Sequence, residues 1–199
     1  MSLLFETIRV AGRRLCHLEY HNARLNSSRL ELFGAGDFID LGKEVAIPVG
    51  LGAGEFRCRV TYGERIDGVT FTPYVRKTVR SLTLVDAAGL GYAHKYADRS
   101  GIGLLLAGVK TDDILIVRDE LVTDTSYANI AFFDGGKWLT PASPLLRGTT
   151  RARLLDEGRI HPEEIRTADL GRFSTAVLMN AMLGFDLDHR IPTGEIRPL

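Results

Sequence analysis

Two runs rich in β-branched and aromatic residues, Phe56–Tyr62 and Ile66–Tyr74, are separated only by Gly63-Glu64-Arg65. A connection that short is of hairpin length and leaves no room for a crossover, so the two runs are expected to pair antiparallel. Thr78–Val85 is a third strand candidate of the same character. Upstream, Leu3–Val10 reads as a strand, and Ala11-Gly12-Arg13 as a turn into a short returning strand that ends near Leu18. The spacing of Leu25, Leu30, Leu32 and Phe33 suits an amphipathic helix over Glu19–Phe33, closed by Gly34-Ala35-Gly36. Ile39–Leu51 contains Pro48 and runs into Gly50-Leu51-Gly52-Ala53-Gly54, which reads as a loop. The first half is therefore a helix with an antiparallel sheet.

Asp86–Gly91, small and glycine-bearing, is the expected joint between two domains, residues 1–86 and 87–199. Beyond it the pattern predicts a helix from about Tyr96 to Ala107. Strands are expected at Ile114–Arg118, Leu121–Thr123, Asn129–Phe133 and Lys137–Leu139, the last two joined by the hairpin signal Asp134-Gly135-Gly136. A second helix should start near Thr149 and end at Gly158. Arg159–Arg166 and Ala176–Leu178 read as final strands, with a short helix near Ala168–Gly171 between them. This order is α+β, not a regular βαβ alternation.

The 199 residues carry 25 basic and 25 acidic side chains, so no global field attracts nucleic acid or an anionic membrane. Any anion binding must be local. Two cysteines, Cys16 and Cys58, without CxxC spacing argue against a disulfide framework and a structural zinc site, and fit a reducing cytosol. The run Met1–Glu6 lacks the basic start of a secretory leader. The longest apolar stretch, near Ile102–Val109, contains two glycines and is too short to span a bilayer. A cytoplasmic protein is expected.

Candidate chemistry gathers in the second half. Gly148-Thr149-Thr150-Arg151 opens a predicted helix, where backbone N–H groups, hydroxyls and the macrodipole favour an anion; a threonine that merely caps its own helix is the simpler reading. Asp124, at a strand end before small polar residues, is either a turn former or a carboxylate for a protonated ring nitrogen. Lys95 is either a solvated charge or an imine-forming nucleophile, which requires partial burial. Arg24 on the first helix can clamp a phosphate or simply face solvent. Arg57 and Arg59, on a strand, can meet a substrate carboxylate or stay solvated. His17 and His21 have the i, i+4 spacing of a zinc pair but lack the rest of an HExxH pattern. The glycine run at 50–54 leads into a strand, which is the wrong context for a dinucleotide loop. Neither GxSxG nor GKS/GKT occurs.

Taken in order, these segments resemble the class IV, or fold type IV, pyridoxal-phosphate aminotransferase family. Phe5-Glu6-Thr7-Ile8-Arg9-Val10 looks like its first strand, and His21-x-x-Arg24-Leu25 its HxxRL helix. Lys95-x-x-Asp98-Arg99 is similar to the K-x-x-N-R form of the aminodeoxychorismate lyases. Val122-Thr123-Asp124-x-x-x-Ala128-Asn129 is similar to the V-T-E-x-x-x-x-N motif, and Gly148-Thr149-Thr150-Arg151 to G-I-T-R. Met179-Asn180-Ala181-Met182 looks like the lyase N-A-L-M.

The resemblance implies a two-domain fold: an N-terminal α/β sandwich, then a C-terminal β-barrel-like domain with flanking helices. It implies pyridoxal 5'-phosphate as cofactor and Lys95 as the catalytic Schiff-base lysine. Asp124 would serve the ring nitrogen, and Arg24, Thr149, Thr150 and Asn180 the phosphate. A small-molecule amino substrate and a homodimer are expected, with no nucleic-acid, membrane or metal partner. The favoured activity is 4-amino-4-deoxychorismate lyase, with an amino-acid transaminase or a non-catalytic family member as alternatives. Two departures stand out. Asp124 replaces the family glutamate, and the family's preceding hairpin with its Gly-Asp-Gly turn has no counterpart in this sequence.

Overall fold

A computed structural model describes residues 3–198. The chain forms two compact units, one of Met1–Arg76 with His94–Asp98 and one of Lys77–Ala93 with Arg99–Leu199. Among the described residues no helix is long and apolar enough to cross a membrane.

In the first unit, strand β1 (Leu4–Ala11) turns through Gly12 and Arg13, both at positive φ, into β2 (Arg14–Leu15). Helices α1 (Leu18–Phe33) and α2 (Leu41–Glu44) follow, then β3 (Phe56–Tyr62) and β4 (Ile66–Pro73). The sheet runs β2-β1-β3-β4, antiparallel throughout, with Leu4 opposite Tyr62 and Val10 opposite Phe56. Side chains alternate across a strand, so Leu4, Glu6, Ile8 and Val10 share the face covered by Leu25 of α1, and all five are buried. Gly34 closes α1 at φ 67. Of the leucines expected to face inward, Leu25 does so, but Leu30 and Leu32 are 59% and 39% exposed. The buried residues are His21, Leu25, Ser28 and Arg29, spaced i, i+4, i+7, i+8 as one helical face requires. Three of these four are polar, which hid the face from a hydrophobic pattern.

In the second unit, β5 (Leu82–Asp86) is followed by α3 (Ser100–Leu106), β6 (Asp113–Arg118) and β7 (Leu121–Thr125). Next come β8 (Asn129–Phe133), β9 (Trp138–Pro141), α4 (Thr149–Asp156) and β10 (His161–Glu163). A 3-10 turn at Thr167–Arg172 precedes β11 (Thr175–Asn180), β12 (Gly184–Phe185), β13 (Ile191–Pro192) and β14 (Ile196–Arg197). One sheet has the order β14-β5-β6-β7; the other runs β10-β9-β8-β11-β12, with β13 added to β11. β5 pairs parallel with β6, β14 with β5 and β10 with β9, and the remaining ladders are antiparallel.

Three expectations change. The third strand candidate does not extend the first sheet: β5 lies in the second unit and pairs with β6. The expected barrel does not close among the described residues, because two separate mixed sheets, each with free edges, take its place. The helix predicted from Tyr96 starts only at Ser100, since Tyr96 pairs with Leu4 in extended form. The Asp134-Gly135-Gly136 hairpin is present. Gly135 sits at φ 102, and the Asp134 carboxylate accepts from Gly136 N at 2.9 Å and Lys137 N at 2.8 Å. Strand β8 buries Ile130 and Phe132 in one cluster with Ala176 and Leu178, and Ala131 in another with Leu154 of α4. Packing thus fixes α4 against the sheet.

Candidate active site

Asp124 is the next-to-last residue of β7 and 5% exposed. It does not form the following turn; Thr125 does, through its hydroxyl and the backbone of Ala128. One carboxylate oxygen of Asp124 accepts from Asn129 Nδ2 at 2.6 Å and the other from Leu146 N at 2.8 Å. Burial pushes this carboxyl up to about 6, against the opposing pull of the Leu146 N–H, the Asn129 amide and the Arg151 charge.

Asn129 opens β8, and its amide also donates to the Leu146 carbonyl at 2.9 Å. A Cβ on Gly148 would stand 1.9 Å from Asn129 Oδ1, so residue 148 must be glycine for this close approach. One amide therefore fixes both Asp124 and the chain entering α4. The motif contains Asn129, but its local sequence does not reveal this role. Its signal was an amide opening an otherwise apolar strand.

Helix α4 begins with Thr149 and Thr150, each 6% exposed, and Gly148 as N-cap makes no side-chain cap bond. Among the described residues neither threonine hydroxyl makes a capping hydrogen bond. Arg151 donates to the Pro141 carbonyl at 2.8 Å, and its buried Nε lacks a partner among the described residues. Asn180 ends β11. Its side-chain oxygen accepts from Met182 N at 2.9 Å and Leu183 N at 2.8 Å, and its amide donates to the Tyr127 carbonyl at 3.3 Å. Its side chain thus shapes the turn it opens.

Lys95 and Arg24 lie in the first unit. The segment carrying Lys95 docks on the free edge of β1, where Phe5 N donates to Lys95 O at 3.0 Å and Ala97 N to Leu3 O at 2.8 Å. Lys95 is half-buried, with Nζ 4.9 Å from the centroid of the Phe5 ring. Arg24, on α1, is largely buried and is not a solvated charge. Its Nε and one terminal nitrogen donate to the two oxygens of Glu6 at 2.8 and 2.5 Å. His21 Nδ1 sits 2.6 Å from the same carboxylate.

Burial alone would raise the Glu6 carboxyl, but the Arg24 charge and the hydrogen bonds from His21 and Arg24 outweigh it and hold the group at about 2. Burial lowers His21, more than Glu6 raises it, so His21 serves as a neutral Nδ1–H donor. His17 sits at the N-cap of α1, half-exposed and at φ 54, so the histidine pair does not share an environment. Among the described residues no three His, Cys, Asp or Glu side chains group as a metal site. Sequence reasoning missed Glu6 as a partner, because a lone Glu in an apolar strand carries no motif.

The donor set of the second unit fits a phosphorylated pyridine. A desolvated carboxylate accepting only neutral N–H groups gains from a cationic ring N–H, and a helix start whose hydroxyls do not cap it suits a phosphate.

Comparison with known proteins points the same way. The model of the family described as Amino-transferase class IV matches residues 54–185. An uncharacterized protein of Haemophilus influenzae is 34% identical over 187 residues, 92% of this chain and 100% of its own. The crystal structure of a candidate 4-amino-4-deoxychorismate lyase from Haemophilus somnus 129pt is 32% identical with a TM-score of 0.87, covering 93% of this chain and 98% of that one. A PLP-bound hypothetical aminotransferase from Mycobacterium tuberculosis shares the fold, with a TM-score of 0.78 at 22% identity over 96% of this chain and 80% of its own.

Proposed function

The chain belongs to the class IV aminotransferases, a family of pyridoxal-phosphate-dependent enzymes, and from that premise we propose that it is a 4-amino-4-deoxychorismate lyase. It would release pyruvate and leave p-aminobenzoate, in the cytoplasm and as part of folate synthesis. The observation that carries the cofactor assignment is Asp124, a carboxylate buried among neutral donors with its pKa at about 6. The choice of lyase rests on Asp98-Arg99 and Asn180-Ala181-Met182. The similarity to the Haemophilus somnus protein supports it.

When bound, the cofactor supplies the electron sink for breaking a bond at the substrate. The chain supplies the rest. Lys95 Nζ would hold the cofactor and would carry a proton to and from the reacting carbon. Asp124 keeps the ring nitrogen protonated. Thr149 and Thr150 hold the phosphate at the start of α4, with Arg24 and the turn at Asn180. A homodimer is part of this reading, and light scattering tests it.

The deciding experiment is the absorbance of the reconstituted protein, followed by product analysis. A visible band that disappears in Lys95→Ala is expected, with pyruvate released from 4-amino-4-deoxychorismate without a keto acid. A colourless protein that takes up no cofactor overturns the enzyme assignment. Turnover that requires a keto acid replaces lyase with transaminase.

A further inference from the structure

The strand register sets an unusual face opposite α1. Phe5, Thr7 and Arg9 of β1 lie across from Thr61, Arg59 and Arg57 of β3. Partners in register share a face, so three arginines, with Phe5, occupy the side of the sheet away from the helix. None of the residues in register on this face is acidic. Arg9 and Arg57 stand directly opposite each other, and like charges so placed destabilise a sheet. Glu55 pairs with Arg9, and Arg57 Nε donates to Thr72 at 3.3 Å. Arg59 is placed differently. Its guanidinium carbon lies 3.7 Å from the centroid of the Phe5 ring, the ring beside which Lys95 Nζ also sits. Phe5 is 5% exposed, so one buried ring aligns the lysine and the nearest arginine of the row.

The geometry points to this face as the carboxylate-receiving surface of the site, with Arg59 as primary receiver and Arg57 next along the strand. The substrate is then an amine carrying two carboxylates, not an aliphatic amino acid. Residues i and i+2 on one strand face stand about 7 Å apart, so a dianion can meet both guanidinium groups while its amine reaches Lys95. The inference rests on the proposed role of Lys95 and substrate, and goes beyond them by assigning the residues that receive the substrate's carboxylates. A guanidinium also matches a carboxylate bidentately, which an ammonium does not.

The test uses the cofactor-loaded protein. In Arg59→Gln, KM for 4-amino-4-deoxychorismate should rise by about ten- to a hundredfold with kcat within about threefold. Arg59→Lys should recover part of the loss, and Arg57→Gln should show a smaller rise. Chorismate, a dianion with a hydroxyl in place of the amine, should perturb the cofactor absorbance at lower concentration than 4-methylpentanoate, a monoanion. Raising the ionic strength should weaken it.

Unchanged KM and chorismate affinity in Arg59→Gln overturn the inference even if pyruvate is released, and the lyase assignment then stands without it. Chorismate binding that depends on Arg59, in a protein that releases no pyruvate, overturns the lyase and keeps the carboxylate face. Equal affinity for the monoanion overturns the face.

Discussion

Asn129 and Asp124 are joined at 2.6 Å across the turn between β7 and β8, and the same amide holds the Leu146 carbonyl at 2.9 Å. The distance matters because the carboxylate is almost fully buried and receives only neutral N–H groups. Hydrogen bonds alone do not repay the desolvation of the charge, so the group waits for a cation.

The pH dependence follows. The folded pKa of Asp124, about 6, lies above the ordinary 3.8. The folded chain therefore keeps a proton that the unfolded chain gives up. Its contribution to stability is fully present below about 4 and is lost as pH rises through about 6, to a limit of about 3 kcal/mol at neutral pH. Melting of the cofactor-free protein should show this as a loss relative to Asp124→Asn that grows between about pH 4 and 7. Cofactor should reverse it, stabilising the wild type more at pH 8 than at pH 5. A difference between the two proteins that does not vary with pH would contradict the assignment.

Gly148 gives a second prediction. Its backbone, at φ −70 and ψ 144, is open to any residue, so only the 1.9 Å approach of Asn129 Oδ1 to a Cβ excludes alanine. Gly148→Ala should cost about 1–3 kcal/mol by overpacking and weaken cofactor binding by moving Asn129 off Asp124. In an Asn129→Ala background the same substitution should cost much less, because the clash is gone. Additive losses, measured by denaturant unfolding, would show that the contact is not the cause.

Glu6 and Arg24 give a third. With its pKa held at about 2 against an ordinary 4.5, the Glu6 carboxylate contributes about 3 kcal/mol above pH 4.5, lost as pH falls through 2. Glu6→Gln should remove this acid limb of the unfolding curve and leave Arg24 short of its counter-ion, at a cost of about 3–5 kcal/mol. Acid unfolding that is unchanged in Glu6→Gln would rule the ion pair out as its source.

How much of this was legible depends on which interaction fixed each residue. Asp134-Gly135-Gly136 was readable because a turn is a local matter of φ and side-chain capping. The start of α4 was readable from Gly148 ahead of the Thr149-Thr150 pair, although no side chain caps the helix. The inner face of α1 was not, because His21 and Arg29 are buried by partners distant in sequence, Glu6 for one and the Glu64 and Asp37 carbonyls for the other. Leu30 and Leu32 offered the stronger local pattern and turned out to face solvent. The extended backbone at Lys95 was likewise set by pairing with Leu3 and Phe5, a long-range ladder that local propensity does not encode. Arg24 was legible as a site residue only through its motif, and its bond to Glu6 only through the fold.

Thr149 and Thr150 separate two explanations that the sequence left open. If either hydroxyl capped α4, replacing it with valine would cost about 1 kcal/mol. The helix has no side-chain cap, and both threonines are buried, so Thr149→Val and Thr150→Val should leave the melting temperature of the cofactor-free protein unchanged or slightly raised. Their effect should fall on the phosphate instead. Each should weaken binding of pyridoxal 5'-phosphate by about ten- to a hundredfold, the value of one hydrogen bond to a charged group, and leave binding of pyridoxal, which lacks the phosphate, unchanged. Titration of both compounds followed by absorbance decides the matter. A lowered melting temperature with unaltered preference for the phosphorylated form would return these threonines to a purely structural role.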